Sequence, residues 1–380
     1  MPIHVPPFPF PPNPPSWYAG HMAVFINDLP KILSTTSIVL EARDARLPLT
    51  SVNPAFETAL QRYWANAHLE GKERIVVYTK RDLAERRYEE PLKRAFEKYT
   101  GQKLMFVDTS KPGDIRRILA AVTEVAKEHE DVHRRGELLV VGMPNVGKST
   151  LLNALRNSGV HKGKAFRTST TAGLTRKFTS HVKILEKPEI YVSDTPGVMV
   201  PYLGRGTAGS EKGMKLAVTS GIKENLYDAE LLAAYLIHIL PLKTKMPFDL
   251  PHPYADFFSA TETSFSSPIS VERPHFLATL AERLGRLKKG GIPDTASTAV
   301  WLIDWFRKGG AGRWTSDFED VGGVKGVDEG VKMWVEAGMG VIGDEGGSQN
   351  QEKKKRMAER LQKRVERWKR LHGDRAGTTS

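Results

Sequence analysis

The sequence predicts an α/β protein, an open, mostly parallel, doubly wound sheet followed by a small all-helical domain. Short runs rich in Val, Ile and Leu recur near Ser37 to Leu40, Arg74 to Tyr78, Lys103 to Val107, Glu137 to Val141, Lys177 to Leu185 and Ile190 to Ser193. Helical patterns separate them, the alternation expected of a parallel sheet covered by helices. Polar and Gly-containing loops follow several of these strands, at the carboxyl ends where open α/β sheets bind ligands. Farther on, Ser210 to Ala217, Asp228 to Leu240, Arg273 to Lys288 and Thr295 to Lys308 carry apolar residues at helical spacing.

The strand Glu137 to Val141 runs into Gly142-Met143-Pro144-Asn145-Val146-Gly147-Lys148-Ser149, and a helical pattern beginning Thr150-Leu151-Leu152 runs out. This is the strand, loop and helix context of a phosphate-binding loop. Gly142 and Gly147 permit the tight path that points backbone N–H groups and a helix N-terminus at phosphate oxygens. The candidate nucleotide ligands here are Pro144, Asn145, Val146, Gly147, Lys148, Ser149 and Thr150. Lys148 would neutralise the β and γ phosphates, and Ser149 would ligate Mg²⁺.

Ile190 to Ser193 delivers Asp194-Thr195-Pro196-Gly197. Asp194 can reach Mg²⁺ through water, and the Gly197 N–H can follow the γ-phosphate. Between these motifs, Arg167 to Thr175 is too polar and Thr-rich for a core element. It reads as a switch loop in which a Thr hydroxyl meets Mg²⁺; Thr175 is the preferred ligand, with Thr171 as its rival.

Thr79-Lys80-Arg81-Asp82 follows another strand. A carboxylate at Asp82 could accept both the N1–H and the 2-amino group of guanine, a pairing adenine cannot offer. Thr79 stands where Asn is usual. Thr109-Ser110-Lys111, after the strand Lys103 to Val107, suits the loop that supports guanine O6. Base-reading motifs therefore precede the phosphate loop and the switches, the reverse of a Ras-like chain. The sheet keeps its arrangement only if old termini are joined and new ones opened, so the fold class is a circularly permuted P-loop GTPase domain.

The span from Trp17 to about Gly310 resembles the YlqF/RbgA family of circularly permuted GTPases. The carriers are Trp17-Tyr18-Ala19-Gly20-His21-Met22, the segment Asp44-Ala45-Arg46-Leu47-Pro48 to Pro54, Thr79 to Asp82, Gly142 to Ser149 and Asp194 to Val198. Gly213-Met214-Lys215-Leu216-Ala217 looks most like the mitochondrial ribosome-associated branch. The resemblance implies hydrolysis of GTP to GDP with Mg²⁺, assembly of the large ribosomal subunit and contact with its rRNA, and a mitochondrial matrix location with peripheral contact at the inner membrane. Val198 stands where Ras-like enzymes carry a water-orienting Gln, and the resemblance gives that role to His21. Without the resemblance, His21 reads as a half-exposed N-terminal imidazole. Ala19 replaces the Pro that usually precedes Gly-His-Met, which suggests a less rigid loop presenting His21. Asn145 reads as a turn cap from its own chemistry and as a K⁺ ligand from the resemblance. Asp44 to Pro48 reads equally as a capped turn or a functional surface.

Composition points the same way. The 380 residues suffice for two domains, and the net charge of +12 favours a polyanionic partner. Zero cysteines exclude disulfides and cysteine-ligated metal. The longest apolar run, Leu231 to Leu240, is half the roughly 20 residues a transmembrane helix needs. The first twenty residues hold eight prolines and no charged side chain, a polyproline II arm with no recognisable transit peptide.

The expected organisation is a Pro-rich arm over 1–20, the permuted domain over 21–209, a helical domain over 210–314, and a Gly-rich linker with a basic helical tail over 315–380. The helical domain carries Arg283, Arg286, Lys288, Lys289, Arg307, Lys308 and Arg313, while Trp301, Trp305 and Phe306 read as core. The tail from Glu352 to Arg370 holds ten Lys or Arg against three Glu. Its stripe of Met357, Leu361, Val365, Trp368 and Leu371 suits a solvated helix, RNA or an anionic membrane. The rival functional class is a GTP-regulated binding module for a membrane or protein, with incidental hydrolysis.

Overall fold

The computed structural model describes residues 8–11, 20–64, 71–128, 136–163, 165–166, 182–195, 197–198, 203–204, 206–222, 226–240, 246–247, 250 and 272–339, and of His21, Ala23, Asp194 and residues 272–275 the backbone alone. A helix α1 (Gly20–Thr35) leads into β1 (Ile38–Asp44), α2 (Pro54–Tyr63), β2 (Glu73–Thr79), α3 (Glu89–Thr100) and β3 (Leu104–Phe106). Then come α4 (Pro112–Glu128), β4 (Gly136–Val141), α5 (Lys148–Val160), β5 (Val182–Leu185) and β6 (Ile190–Asp194). Helices α6 (Gly206–Val218), α7 (Ala229–Ile239), α8 (Glu272–Arg283), α9 (Thr295–Arg307) and α10 (Val327–Glu336) follow, with a small hairpin of β7 (Leu287–Lys288) and β8 (Ile292–Pro293) between α8 and α9. That hairpin interrupts an otherwise helical region.

The sheet runs β3-β2-β1-β4-β6-β5, with every neighbouring pair parallel except β5 and β6. The chain builds outward from β1 to β3 and returns to the other side of β1 at β4. This reversal puts a topological switch point, where a crevice opens at the strand carboxyl ends, between β1 and β4. The phosphate loop therefore lies at the crevice.

Alternate residues of the strands face two layers. Ile38, Leu40, Ile75, Val77, Leu138 and Val140 pack against α4 and α5. On the other face, Val39, Leu139 and Val141 share one core with α1, α2 and the helices after β6. The helical region thus continues the core of the sheet. In α1, Met22, Phe25, Leu29 and Leu33 recur at helical spacing and are buried, so Gly20-His21-Met22 opens a helix and is not the expected loop.

The N-terminal arm is docked where it is described: Phe8 is buried with its ring 5.2 Å from that of Tyr235 on α7, and Ser210 Oγ donates to Pro11 O at 2.5 Å. Residues 315–339 are no linker. Phe318, Val327 and Val331 are buried beside Tyr78, Phe96 and Phe106, with α10 packed on α3. Of its glycines, Gly330 lies inside α10 against Phe318 and Gly326 lies against Val321, so they allow close packing where composition alone reads as flexible.

Polar residues also cross the interior. Arg43, with no exposed surface, donates to Glu41 at 2.7 Å, to Glu57 at 3.0 Å and to the Tyr78 hydroxyl at 3.4 Å, while Arg74 pairs with both carboxylates. Burial alone would raise the Glu41 carboxyl, but the Arg43 and Arg74 guanidiniums pull it down to about 2. Removing one partner of such a network strands the others in the core. Arg43→Ala is expected to lower the unfolding free energy by about 3–5 kcal/mol, read by guanidinium denaturation. A loss below about 1 kcal/mol would show that Arg74 neutralises both carboxylates alone.

Candidate functional site

The phosphate loop leaves β4 at Gly142, whose φ of +146° and closeness to Ala42 explain why Gly is needed. A Cβ there would lie 2.3 Å from Ala42 O. Asn145 and Gly147 also have positive φ, a path that turns successive N–H groups inward as an anion-binding nest. Lys148 and Ser149 open α5, so its N-terminus adds dipole and N–H donors. The Lys148 ammonium is buried and held over the loop by Gly142 O at 3.1 Å and Met143 O at 2.8 Å. This arrangement is built for phosphate.

Asp194-Thr195-Pro196-Gly197 meets the loop directly. Thr195 Oγ1 donates to Val140 O at 2.6 Å, and Val198 N–H donates to Gly142 O at 3.3 Å. A Cβ on Gly197 would lie 2.6 Å from the Pro144 Cα, so only Gly lets the two motifs touch. Asp194 ends β6 and pairs with Val140, two residues before Gly142. Ser149 and Asp194 are oxygen donors of the hard kind Mg²⁺ takes. Among the described residues no group of three or more His, Asp or Glu is arranged to hold a metal ion by itself. A Mg²⁺ carried by nucleotide phosphates fits that donor set. Val198 is a fully buried core residue whose carbonyl accepts from Asn53 Nδ2 at 2.6 Å, which suits its inability to orient water. The switch-loop residues Thr171 and Thr175 lie outside the described residues.

The loop Thr79-Lys80-Arg81-Asp82, expected to read the base, is joined to this edge through Thr79. Its buried hydroxyl donates to Val146 O in the phosphate loop and lies 3.0 Å from Arg43 O. Thr in place of Asn therefore keeps a bridge between the two motifs. Lys80 adopts a φ of +55° and pairs through Nζ with Asp44 at 2.9 Å. Burial drives the Lys80 ammonium downward in pKa and Asp44 opposes it. Asp82 is exposed at the carboxyl edge. Arg81 N–H donates to Val107 O at 3.2 Å, fastening this loop to the one carrying Thr109, Ser110 and Lys111. That second loop is capped internally, with Ser110 N–H and Oγ donating to Asp108 Oδ1 at 2.9 and 2.6 Å. The structure so gathers the Thr79, Thr109, Gly142 and Asp194 motifs at one edge.

Asp44 to Pro48 is a structural turn. Asp44 Oδ1 accepts from the Arg46 N–H and Nε, both at 3.0 Å, and its Oδ2 accepts from Nη2 at 2.8 Å. Arg46 also donates to Thr219 O at 3.3 Å. Asn145 reaches the same region, its Nδ2 donating to Ser220 O at 2.9 Å. Arg307, one of the basic residues of the helical domain, donates to Ala217 O at 2.7 Å and Val218 O at 2.9 Å. The carbonyls ending α6 thus collect three side chains from three parts of the chain. No local pattern betrays this, because the acceptors are backbone atoms.

Comparison with known proteins agrees with the geometry. Residues 137–243 match the family model described as 50S ribosome-binding GTPase. The chain is 30% identical over 322 residues to mitochondrial GTPase 1 of Schizosaccharomyces japonicus, covering 80% of this chain and 90% of that one. The chain belongs to the mitochondrial GTPase 1 family. Another member of this GTPase family, mitochondrial ribosome-associated GTPase 1 of Xenopus tropicalis, is 27% identical, with 78% of this chain and 92% of that one covered. Among solved structures, GNP-bound YlqF from T. maritima aligns over 76% of this chain and 95% of its own at 22% identity, with a TM-score of 0.45.

Lys148 is the only charge the phosphate loop itself supplies. Lys148→Ala is expected to weaken GTP and GDP binding by at least about 100-fold, measured by titration calorimetry. Near-normal affinity would show that phosphate is held elsewhere.

Proposed function

We infer that this chain hydrolyses GTP at the β–γ bond with Mg²⁺ and uses the nucleotide state to time its binding to, and release from, a maturing large ribosomal subunit in mitochondria. The observation that carries this reading is the direct contact between Gly197, the γ-phosphate reporter of the third motif, and Pro144 of the phosphate loop. A γ-phosphate entering that contact must move the Gly197 segment, and β6 leads from there straight into α6 and the helical region. Relatives named mitochondrial ribosome-associated GTPase 1 and mitochondrial GTPase 1 support this reading.

Lys148 and the α5 N-terminus would hold the phosphates, while Ser149 and Asp194 would hold Mg²⁺, which supplies positive charge at the β and γ oxygens. Thr175 would complete that ion's shell on the GTP side. Asp82 would read the base, flanked by Lys80 and the Thr109 to Lys111 loop. His21, in the first turn of α1, would position the attacking water in place of a Gln. A K⁺ at Asn145 would use the amide oxygen, since Nδ2 donates to Ser220 O. The net charge of +12 and the basic tail suit rRNA phosphates. No helix among the described residues is long and apolar enough to cross a membrane, and any inner-membrane contact would be peripheral.

Co-sedimentation with purified mitochondrial large subunits tests the reading. The protein is expected to travel with subunits in a non-hydrolysable GTP analogue and to leave them in GDP, with at least about a tenfold difference in apparent affinity. Equal sedimentation in both states, together with nucleotide-dependent binding to anionic liposomes, would favour the membrane-directed binding module.

A further inference from the structure

The loop that carries Asp82 is held from outside by a segment more than two hundred residues downstream. Arg313 Nε donates to Asp82 O at 3.4 Å, Trp314 N–H donates to Leu83 O at 2.9 Å, and Thr315 Oγ1 accepts from Glu85 N–H at 3.0 Å. Three successive residues of one segment thus grip three positions of the other. Thr315 is buried at this contact.

The segment is itself anchored beyond the grip. Ser316 N–H donates to Arg46 O at 2.9 Å. Asp317 Oδ2 accepts from Leu49 N–H at 2.9 Å and Thr50 N–H at 2.8 Å, and its Oδ1 accepts from the Thr50 hydroxyl at 2.6 Å. Lys215 of α6 lies 3.7 Å from the same carboxylate. Asp317 holds a φ of +83°, a conformation uncommon for residues with a Cβ though more accessible to Asp than to most. The hydrogen bonds to Leu49 and Thr50 hold it there. Phe318 then enters the core against Tyr88, their rings 5.8 Å apart.

We propose that residues 313–317 form a strap that positions the base-reading loop, with Thr315 and Asp317 as positioning residues for guanine selection. The role rests on the assignment of Asp82 as the base-reading carboxylate. Because the Asp82 side chain is exposed, its aim depends on its backbone, and the strap is what fixes that backbone on the solvent side. Guanine is told from hypoxanthine only by the second hydrogen bond, to the 2-amino group. A small drift of the loop costs that bond first.

The test measures affinities of the full chain for GDP and IDP in the wild type, Thr315→Val, Thr315→Ser, Arg313→Ala and Asp317→Asn. The wild type is expected to prefer GDP, and failure to do so sinks the base-reading assignment and the strap with it. Thr315→Val removes the acceptor for Glu85 and should lower the preference by about five- to tenfold, while Thr315→Ser restores it. Asp317→Asn keeps an oxygen for the backbone donors and should lower it by about twofold. A merely structural loss would reduce binding-competent protein without changing the ratio of the two affinities. A Thr315→Val ratio equal to that of the wild type overturns the strap. Should that variant fail to fold, exposed Arg313→Ala decides, with about a twofold fall in preference expected and an unchanged ratio overturning the proposal.

Discussion

The Asp44 carboxylate, buried where β1 ends, is gripped by Arg46 through Nε and Nη2 and by Lys80 through Nζ. Burial would raise this acid, but the two cations outweigh it and hold the carboxyl far below the ordinary range. Each partner extends the node. Lys80 is the second residue of the base-reading loop, and Arg46 reaches Thr219 at the end of α6. Because β1 lies beside the switch point of the sheet, one ionic contact sets the relative places of the base loop, the crevice and the helix leaving the third nucleotide motif. Its folded pKa is depressed, so its contribution to stability is present above the unfolded value and fades as pH falls toward the folded one.

The permuted order changes what that node can transmit. In a Ras-like order the base-reading loops lie near the end of the domain; here they come first, and the segment after Gly197 runs on into α6. The last carbonyls of a helix lack the usual partner four residues on, and at the end of α6 side chains supplement the turn in which Ser220 N–H donates to Ala217 O at 3.1 Å. Arg307 takes Ala217 and Val218, Arg46 takes Thr219, and Asn145 takes Ser220. Two of the three donors are cations, which a helix C-terminus favours. The phosphate loop, the β1 turn and the helical region therefore share one anchor at the carboxyl end of α6.

The nucleotide motifs were legible because their chemistry is local: spacing within Gly142 to Ser149 and the strand before it suffice to place a phosphate loop. The circular permutation followed from motif order alone. The Gly20-His21-Met22 helix was missed because the Pro-rich stretch before it hides the start of the Met22, Phe25, Leu29 and Leu33 stripe. Residues 313–317 were missed for a deeper reason. Their partners are backbone N–H and C=O groups of Asp82, Leu83, Glu85, Leu49 and Thr50, which leave no residue pattern, and their Gly-rich surroundings read as a linker. The Glu41, Arg43, Glu57 and Arg74 network was likewise hidden, since it needs the register of β1 against β2, in which Glu41 faces Val76.

The central claim is that guanine is read by Asp82 at the start of the permuted domain, and nucleotide preference of Asp82→Asn tests it most directly. An amide can donate to the 2-oxo group of xanthine, where a carboxylate repels it. The account predicts that the variant shifts from GTP toward XTP by at least about 100-fold in relative affinity, with phosphate contacts intact. An unchanged ratio of GTP to XTP affinity would contradict it.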